Sequence, residues 1–160
     1  MKTKQIKNML KPKPKENLSA RPLLSSGSTL LNLACSGKVS GAFPQGSYIF
    51  LVGDSASGKS FLSLTCLAEA VKSKHFADHR IIYDDVEGGA MMDWEKFFGK
   101  RVADKVEAPF GDFASENVEE FYYNVDDAIQ KESPFIYILD SMDALSANEE
   151  VSKFQEQKSA

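Results

Sequence analysis

The sequence is poor in several features that would have narrowed its function quickly. It has only two cysteines, Cys35 and Cys66, at a spacing that matches no metal-binding pattern. Cys66 falls within a helical stretch, and both thiols are expected to be reduced and buried in a cytoplasmic protein. No apolar run approaches the ~20 residues that span a bilayer. The longest are Tyr48–Val52 and Phe135–Leu139, so no membrane partner is expected. The basic start is not a signal peptide, because Pro12, Pro14 and several lysines interrupt any apolar segment. Arginine is scarce. After Arg21 only Arg80 and Arg101 remain, too few for the arginine-rich lid of a small-molecule kinase. His75 and His79 stand in no constellation of other reactive residues, and no internal repeat is present.

What is present is ordinary in amount and uneven in placement. The 160 residues, 42% apolar and 26% charged, suffice for one domain with a real core. Residues 1–21 hold Lys2, Lys4, Lys7, Lys11, Lys13, Lys15 and Arg21 against Glu16 alone, a net of +6. The whole chain is −4, so residues 22–160 carry −10. The first 21 residues read as a flexible basic arm on an acidic body, a solvated tail or a contact for nucleic-acid phosphates.

The organising stretch is Gly53-Asp54-Ser55-Ala56-Ser57-Gly58-Lys59-Ser60, which fits G-x-x-x-x-G-K-[ST]. Gly53 and Gly58 permit positive φ and close approach of the backbone to a ligand. Such a turn aims several N–H groups at one point, beside a helix N-terminus, which is how proteins cradle phosphate. Lys59 is placed for the β- and γ-phosphates and Ser60 for Mg²⁺. The octet arises by chance in about 0.6% of chains this long, so its context matters. That context agrees: Tyr48–Val52 reads as the preceding strand, and Phe61, Leu64, Leu67 and Val71 as one face of the following helix, about 60–73.

Downstream, Arg80–Tyr83 reads as a strand that delivers Asp84, Asp85 and Glu87 past its end. Asp93 caps a short helix through Trp94, Phe97 and Phe98, stopped by Gly99. Residues 106–108 suggest an edge strand. Asn117 and Glu120 form a capping box ahead of Val118, Phe121, Tyr122, Val125, Ala128 and Ile129, the clearest helical period in the chain. Phe135–Leu139 reads as a strand buried on both faces, ending at Asp140-Ser141. Residues 146–160 read as a helix start or a frayed tail. Alternating strands and helices predict a mostly parallel α/β sheet, with ligands beyond the strand C-termini.

Asp140, closing an apolar strand, is placed to hold Mg²⁺ together with Ser60. Glu87 is the candidate general base for an attacking water, with Asp84 and Asp85 as substitutes. The expected cofactors are ATP and Mg²⁺.

Taken together, the Gly53–Ser60 loop, Asp85-Val86-Glu87 and residues 139–145 (LDSMDAL) resemble the ATPase core of RecA-type recombinases. The lead-in from Gly27-Ser28-Thr29 to Phe43-Pro44-Gln45-Gly46 is similar too, and the nearest likeness is to divergent RecA-like proteins of bacteriophages. The resemblance covers roughly residues 25–146. It implies a P-loop NTPase fold, ATP-dependent filament formation on single-stranded DNA, and a role in recombination or repair. It maps Gly53–Ser60 to phosphate binding, Lys59 and Glu87 to catalysis, Asp140 to the Walker B acid and Ser141 to the serine that follows it. Asn32 departs from that family's usual Asp, away from the nucleotide site.

Length is the larger departure. In the family the chain continues into DNA-binding loops and further strands, one of them lying between the P-loop strand and the Walker B strand. This sequence stops about 20 residues after Asp140. The resemblance therefore implies the N-terminal part of such a domain over 22–160, with apolar edges left open at Tyr48–Val52 and Phe135–Leu139. Two other readings share these residues: a replicative helicase or clock-type ATPase of the same fold, and a catalytically silent nucleotide-binding fragment.

Overall fold

A computed structural model describes residues 21–88, 93–109 and 113–147. The basic arm, apart from Arg21, and residues 148–160 lie outside them. In chain order the strands are β1 (Leu23–Leu24), β2 (Phe43–Pro44), β3 (Arg80–Asp85), β4 (Val106–Glu107) and β5 (Phe135–Asp140). The helices are α1 (Thr29–Ser36), α2 (Lys59–Lys72), α3 (Trp94–Phe98), α4 (Lys100–Ala103) and α5 (Val118–Gln130).

The architecture is mixed α/β. Three parallel strands run in the order β4-β3-β5, flanked by helices. β3 and β5 are in register from Arg80 opposite Phe135 to Asp85 opposite Asp140. Parallel neighbours need a crossover between them. Helices α3 and α4 make the crossing from β3 to β4, and α5 makes the crossing to β5.

Helix α2 owes its position to Leu64, Leu67, Ala68 and Val71, an i, i+3, i+4, i+7 stripe that is buried throughout. This stripe packs with Phe76, Ile81, Tyr83 and Val102, and Ile136 and Ile138 of β5 lie against the same core. Strand alternation sends Ile82 and Asp84 to the opposite face, where Phe121 of α5 meets the ring of Tyr137 at 5.8 Å. Helix α5 begins as its sequence predicts: Asn117 Oδ1 accepts from the Glu120 N–H at 2.8 Å. The reciprocal arm shifts by one residue, with Glu120 Oε2 accepting from the Glu116 N–H instead.

Ahead of the sheet, β1 and β2 pair antiparallel, Leu23 opposite Pro44 and Leu24 opposite Phe43. Phe43–Pro44 is thus a strand where the sequence suggests only a turn. Helix α1 was not legible as a helix. Its cap is Ser28, and buried Asn32 ties it down, with Oδ1 accepting from Ser26 N–H and Oγ at 3.0 and 2.8 Å.

Two expectations need correcting. Tyr48–Val52 is not a strand, and the chain there pairs with no strand among the described residues. Tyr48 is 75%, Phe50 66% and Val52 90% exposed. β3 already has β4 and β5 on its two edges, so no inner position is left for this run. β5 in turn has one strand neighbour, and all six of its residues are only half-buried. Second, Cys35 is exposed, since it sits on the outer side of a short surface helix, whereas Cys66 is buried in α2 as expected. Burial pushes the Cys66 thiol up to about 11, which leaves it protonated and unreactive near neutrality. No helix among the described residues is long and apolar enough to cross a membrane.

Candidate functional site

The loop before α2 is built by its backbone. Ser57 N–H donates to Asp54 O at 3.2 Å, and Ala56 and Gly58 take positive φ of 59° and 90°. Gly53, unlike Gly58, does not take positive φ, and a Cβ there would meet the Ser57 hydroxyl at 2.8 Å, displacing a side-chain tip rather than backbone. Gly58 is the N-cap of α2, and no side chain caps the helix. The first N–H groups of a helix have no partner inside it. Here they adjoin the exposed loop 53–58, and a helix N-terminus carries partial positive charge. Lys59 folds back over this loop, its Nζ donating to Gly53 O at 2.9 Å and Asp54 O at 3.0 Å. Both are neutral carbonyls, partners that an incoming anion would outcompete.

A second group forms where β3 and β5 end side by side. The Glu87 N–H donates to Asp140 O at 3.3 Å, and Ser141 Oγ donates to Glu87 Oε1 at 2.5 Å. Asp140 Oδ2 accepts from the Tyr83 hydroxyl at 2.6 Å. Glu87, Asp140 and Ser141 are therefore brought together, as their sequence spacing suggested. Tyr83 in sequence reads only as an apolar strand residue, with nothing to mark it for this group. Burial chiefly, then its bond to Asp140, raises the Tyr83 hydroxyl well above the usual phenol range, so it stays a donor.

Asp84 does not belong to this group. It lies inside β3 rather than past its end, is fully buried, and points to the α5 side of the sheet. There it accepts from Ser115 N–H at 2.8 Å, Ser115 Oγ at 2.6 Å and the Tyr137 hydroxyl at 2.6 Å. Asn124 Nδ2 in turn donates to Ser115 Oγ at 2.9 Å. This network pins the segment before α5 to the sheet. Asp84 is thereby removed as a substitute for Glu87. Asp85, directly opposite Asp140 in register, is half-exposed at the strand ends.

The path of α2 directs the two groups toward one end of the sheet. The C-terminus of α2 runs through a short 3₁₀ turn (Lys74–Phe76) into the start of β3. The helix then extends back about 21 Å along the strands, so its N-terminus lies toward their C-terminal ends. Near that N-terminus Phe61 meets Phe98 of α3 at 5.9 Å, and α3 itself covers Tyr83 through Trp94 at 5.3 Å.

The donors divide by chemistry. Backbone N–H groups and Lys59 suit an anion, whereas the Ser60 hydroxyl and the Asp140 carboxylate are hard oxygen ligands. Among the described residues no group of three or more His, Cys, Asp or Glu is arranged to hold a metal ion. Mg²⁺ needs no such cage where one or two protein oxygens are completed by phosphate and water, and Ser60 and Asp140 are oxygen donors of that chemical kind. Comparison with protein-family models, with curated proteins and with solved structures returns no match for this chain.

Proposed function

We propose that the chain is the ATP-binding part of a RecA-type ATPase that acts on single-stranded DNA in recombination or repair. The observation that carries this reading is the Gly53–Gly58 turn, closed on an uncapped helix at the same end of a parallel sheet as Asp140 and Glu87. In this reading Lys59 exchanges Gly53 O and Asp54 O for phosphate oxygens. Ser60 and Asp140 hold Mg²⁺, which neutralises charge on the β- and γ-phosphates. Glu87 orients water: Ser141 occupies Oε1 and leaves Oε2 to accept a proton. The family resemblance of the ordered motifs supplies the DNA substrate and assembly into a homo-oligomer or filament. The basic arm offers phosphate contacts on an otherwise acidic chain.

The test is equilibrium binding of a fluorescent ATP analogue, then hydrolysis with and without single-stranded DNA, beside Lys59→Ala. Losing a charge-assisted phosphate contact costs about 1.5–3 kcal/mol, so the variant is expected to bind about tenfold to hundredfold more weakly. Equal affinity in both proteins would remove the nucleotide site. Lys59-dependent binding without turnover would leave a binding module rather than an ATPase.

A further inference from the structure

Strands β3 and β5 exchange two tyrosine–aspartate hydrogen bonds of the same length. Tyr137 of β5 reaches Asp84 of β3, and Tyr83 of β3 reaches Asp140 of β5, each at 2.6 Å. The two bonds lie on opposite faces of the sheet and end differently. On the α5 face Asp84 is fully buried, and both its oxygens are engaged: Ser115 N–H holds Oδ1, and Ser115 Oγ and Tyr137 share Oδ2. That carboxylate accepts three hydrogen bonds and has no surface open to a ligand. Asp140 shares its face with Ile136 and Ile138, which pack on the core that α2 builds, the helix bearing the Gly53–Gly58 loop. Its Oδ2 is engaged by Tyr83, while Oδ1 has no hydrogen-bond partner among the described residues.

We infer that Tyr83 is a positioning residue for Asp140, holding one carboxylate oxygen so that the other is presented to the metal of a bound Mg²⁺–nucleotide. This rests on the nucleotide reading above and extends it to a residue that the motifs do not mark. The Tyr83 ring is fixed by the core below and by Trp94 beside it, edge-on at 5.3 Å, so its hydroxyl has little freedom. A phenylalanine would pack equally well in that core. The hydroxyl is what the Asp140 bond requires, and an outer partner that orients a metal-ligating carboxylate is commonly worth about 10–100-fold in metal affinity.

The experiment uses the full chain and a fluorescent ATP analogue, titrated in EDTA and across a Mg²⁺ series. Four variants are compared with the parent: Tyr83→Phe, the matched control Tyr137→Phe, Asp140→Asn, and Tyr83→Phe combined with Asp140→Asn. Tyr83→Phe is expected to raise the Mg²⁺ concentration at half-saturation about tenfold, with affinity in EDTA within twofold of the parent. Tyr137→Phe removes the same group from the other face and is expected to leave the Mg²⁺ series unshifted. With Asn at position 140, adding Tyr83→Phe is expected to cause no further shift beyond Asp140→Asn alone. An unshifted Mg²⁺ series in Tyr83→Phe overturns the inference, as does an equal shift in Tyr137→Phe, which would mark a general loosening of the sheet. If the parent binds the analogue but ignores Mg²⁺, the positioning role falls and the nucleotide site stands. If the parent binds no analogue at all, both fall.

Discussion

Strand β5 and the run Tyr48–Val52 are near equals in composition, each a short apolar and aromatic stretch leading into a polar motif. One is in the sheet and the other is outside it. β5 holds a six-residue parallel register with β3, puts Ile136 and Ile138 on the α2 core, and is tied to β3 by side-chain bonds on both faces. Tyr48–Val52 leaves a turn in which Ser47 N–H donates to Pro44 O, then runs on without regular structure, its Tyr48 and Phe50 rings meeting edge-on at 5.5 Å and largely exposed. The difference teaches that apolarity makes a segment available for pairing, whereas a strand also needs a partner held in register and a core to pack on. Both edges of β3 are taken, and the outer edge of β5 carries no strand among the described residues.

The contrast is sharpest in stability. Ile81 of β3 is wholly buried, and truncating it leaves a cavity beneath α2. Ile81→Ala is expected to cost about 2–5 kcal/mol in urea unfolding. Phe50→Ala, at a side chain that is 66% exposed, is expected to stay within about 0.5 kcal/mol. Comparable losses at the two sites would show that Tyr48–Val52 is packed in solution, and would break the comparison.

A smaller effect separates the side-chain ties of β5 from its backbone pairing. Tyr137→Phe keeps the ring on Phe121 but takes one donor from buried Asp84, which retains Ser115. A loss of about 1–3 kcal/mol is expected from the same unfolding measurement. A neutral result would assign the position of β5 to its ladder and apolar contacts alone.

The smallest effect lies at the entry to β3. His79 is buried against Phe76, with its ring at 5.0 Å, and Gln45 Nε2 sits 3.2 Å from its Nε2. Burial lowers its pKa below the ordinary 6.5. The unfolded chain then takes up the proton first as pH falls, so stability is lost below about pH 6.5 and is unaffected above it. His79→Gln is expected to flatten this part of the stability–pH curve. An unchanged slope would place the loss on other groups.

Much of this arrangement can be read along the chain because it depends on neighbours along the chain. The cap at Asn117, the stripe Leu64–Val71, the Gly53–Ser60 turn and the short helix opened by Asp93 each follow from residues within a few positions of one another. The same locality explains the misses. Helix α1 has only eight residues between a Ser cap and a glycine stop, too few for a period to stand out. Asp84 and Asp85 are adjacent and chemically identical, yet strand alternation sends one into a buried network and leaves the other at the strand ends.

The sequence by itself determined the parts: a glycine-bounded loop opening a helix, two acid-tipped apolar strands, and a capped amphipathic helix. Each is set by backbone propensity and by side-chain spacing over a turn or two. Tertiary structure alone decided which apolar run became a strand, which aspartate was consumed inside the fold, and that Tyr83 meets Asp140 across 57 positions. Those outcomes depend on strand order and register, which bring together residues that no local pattern relates.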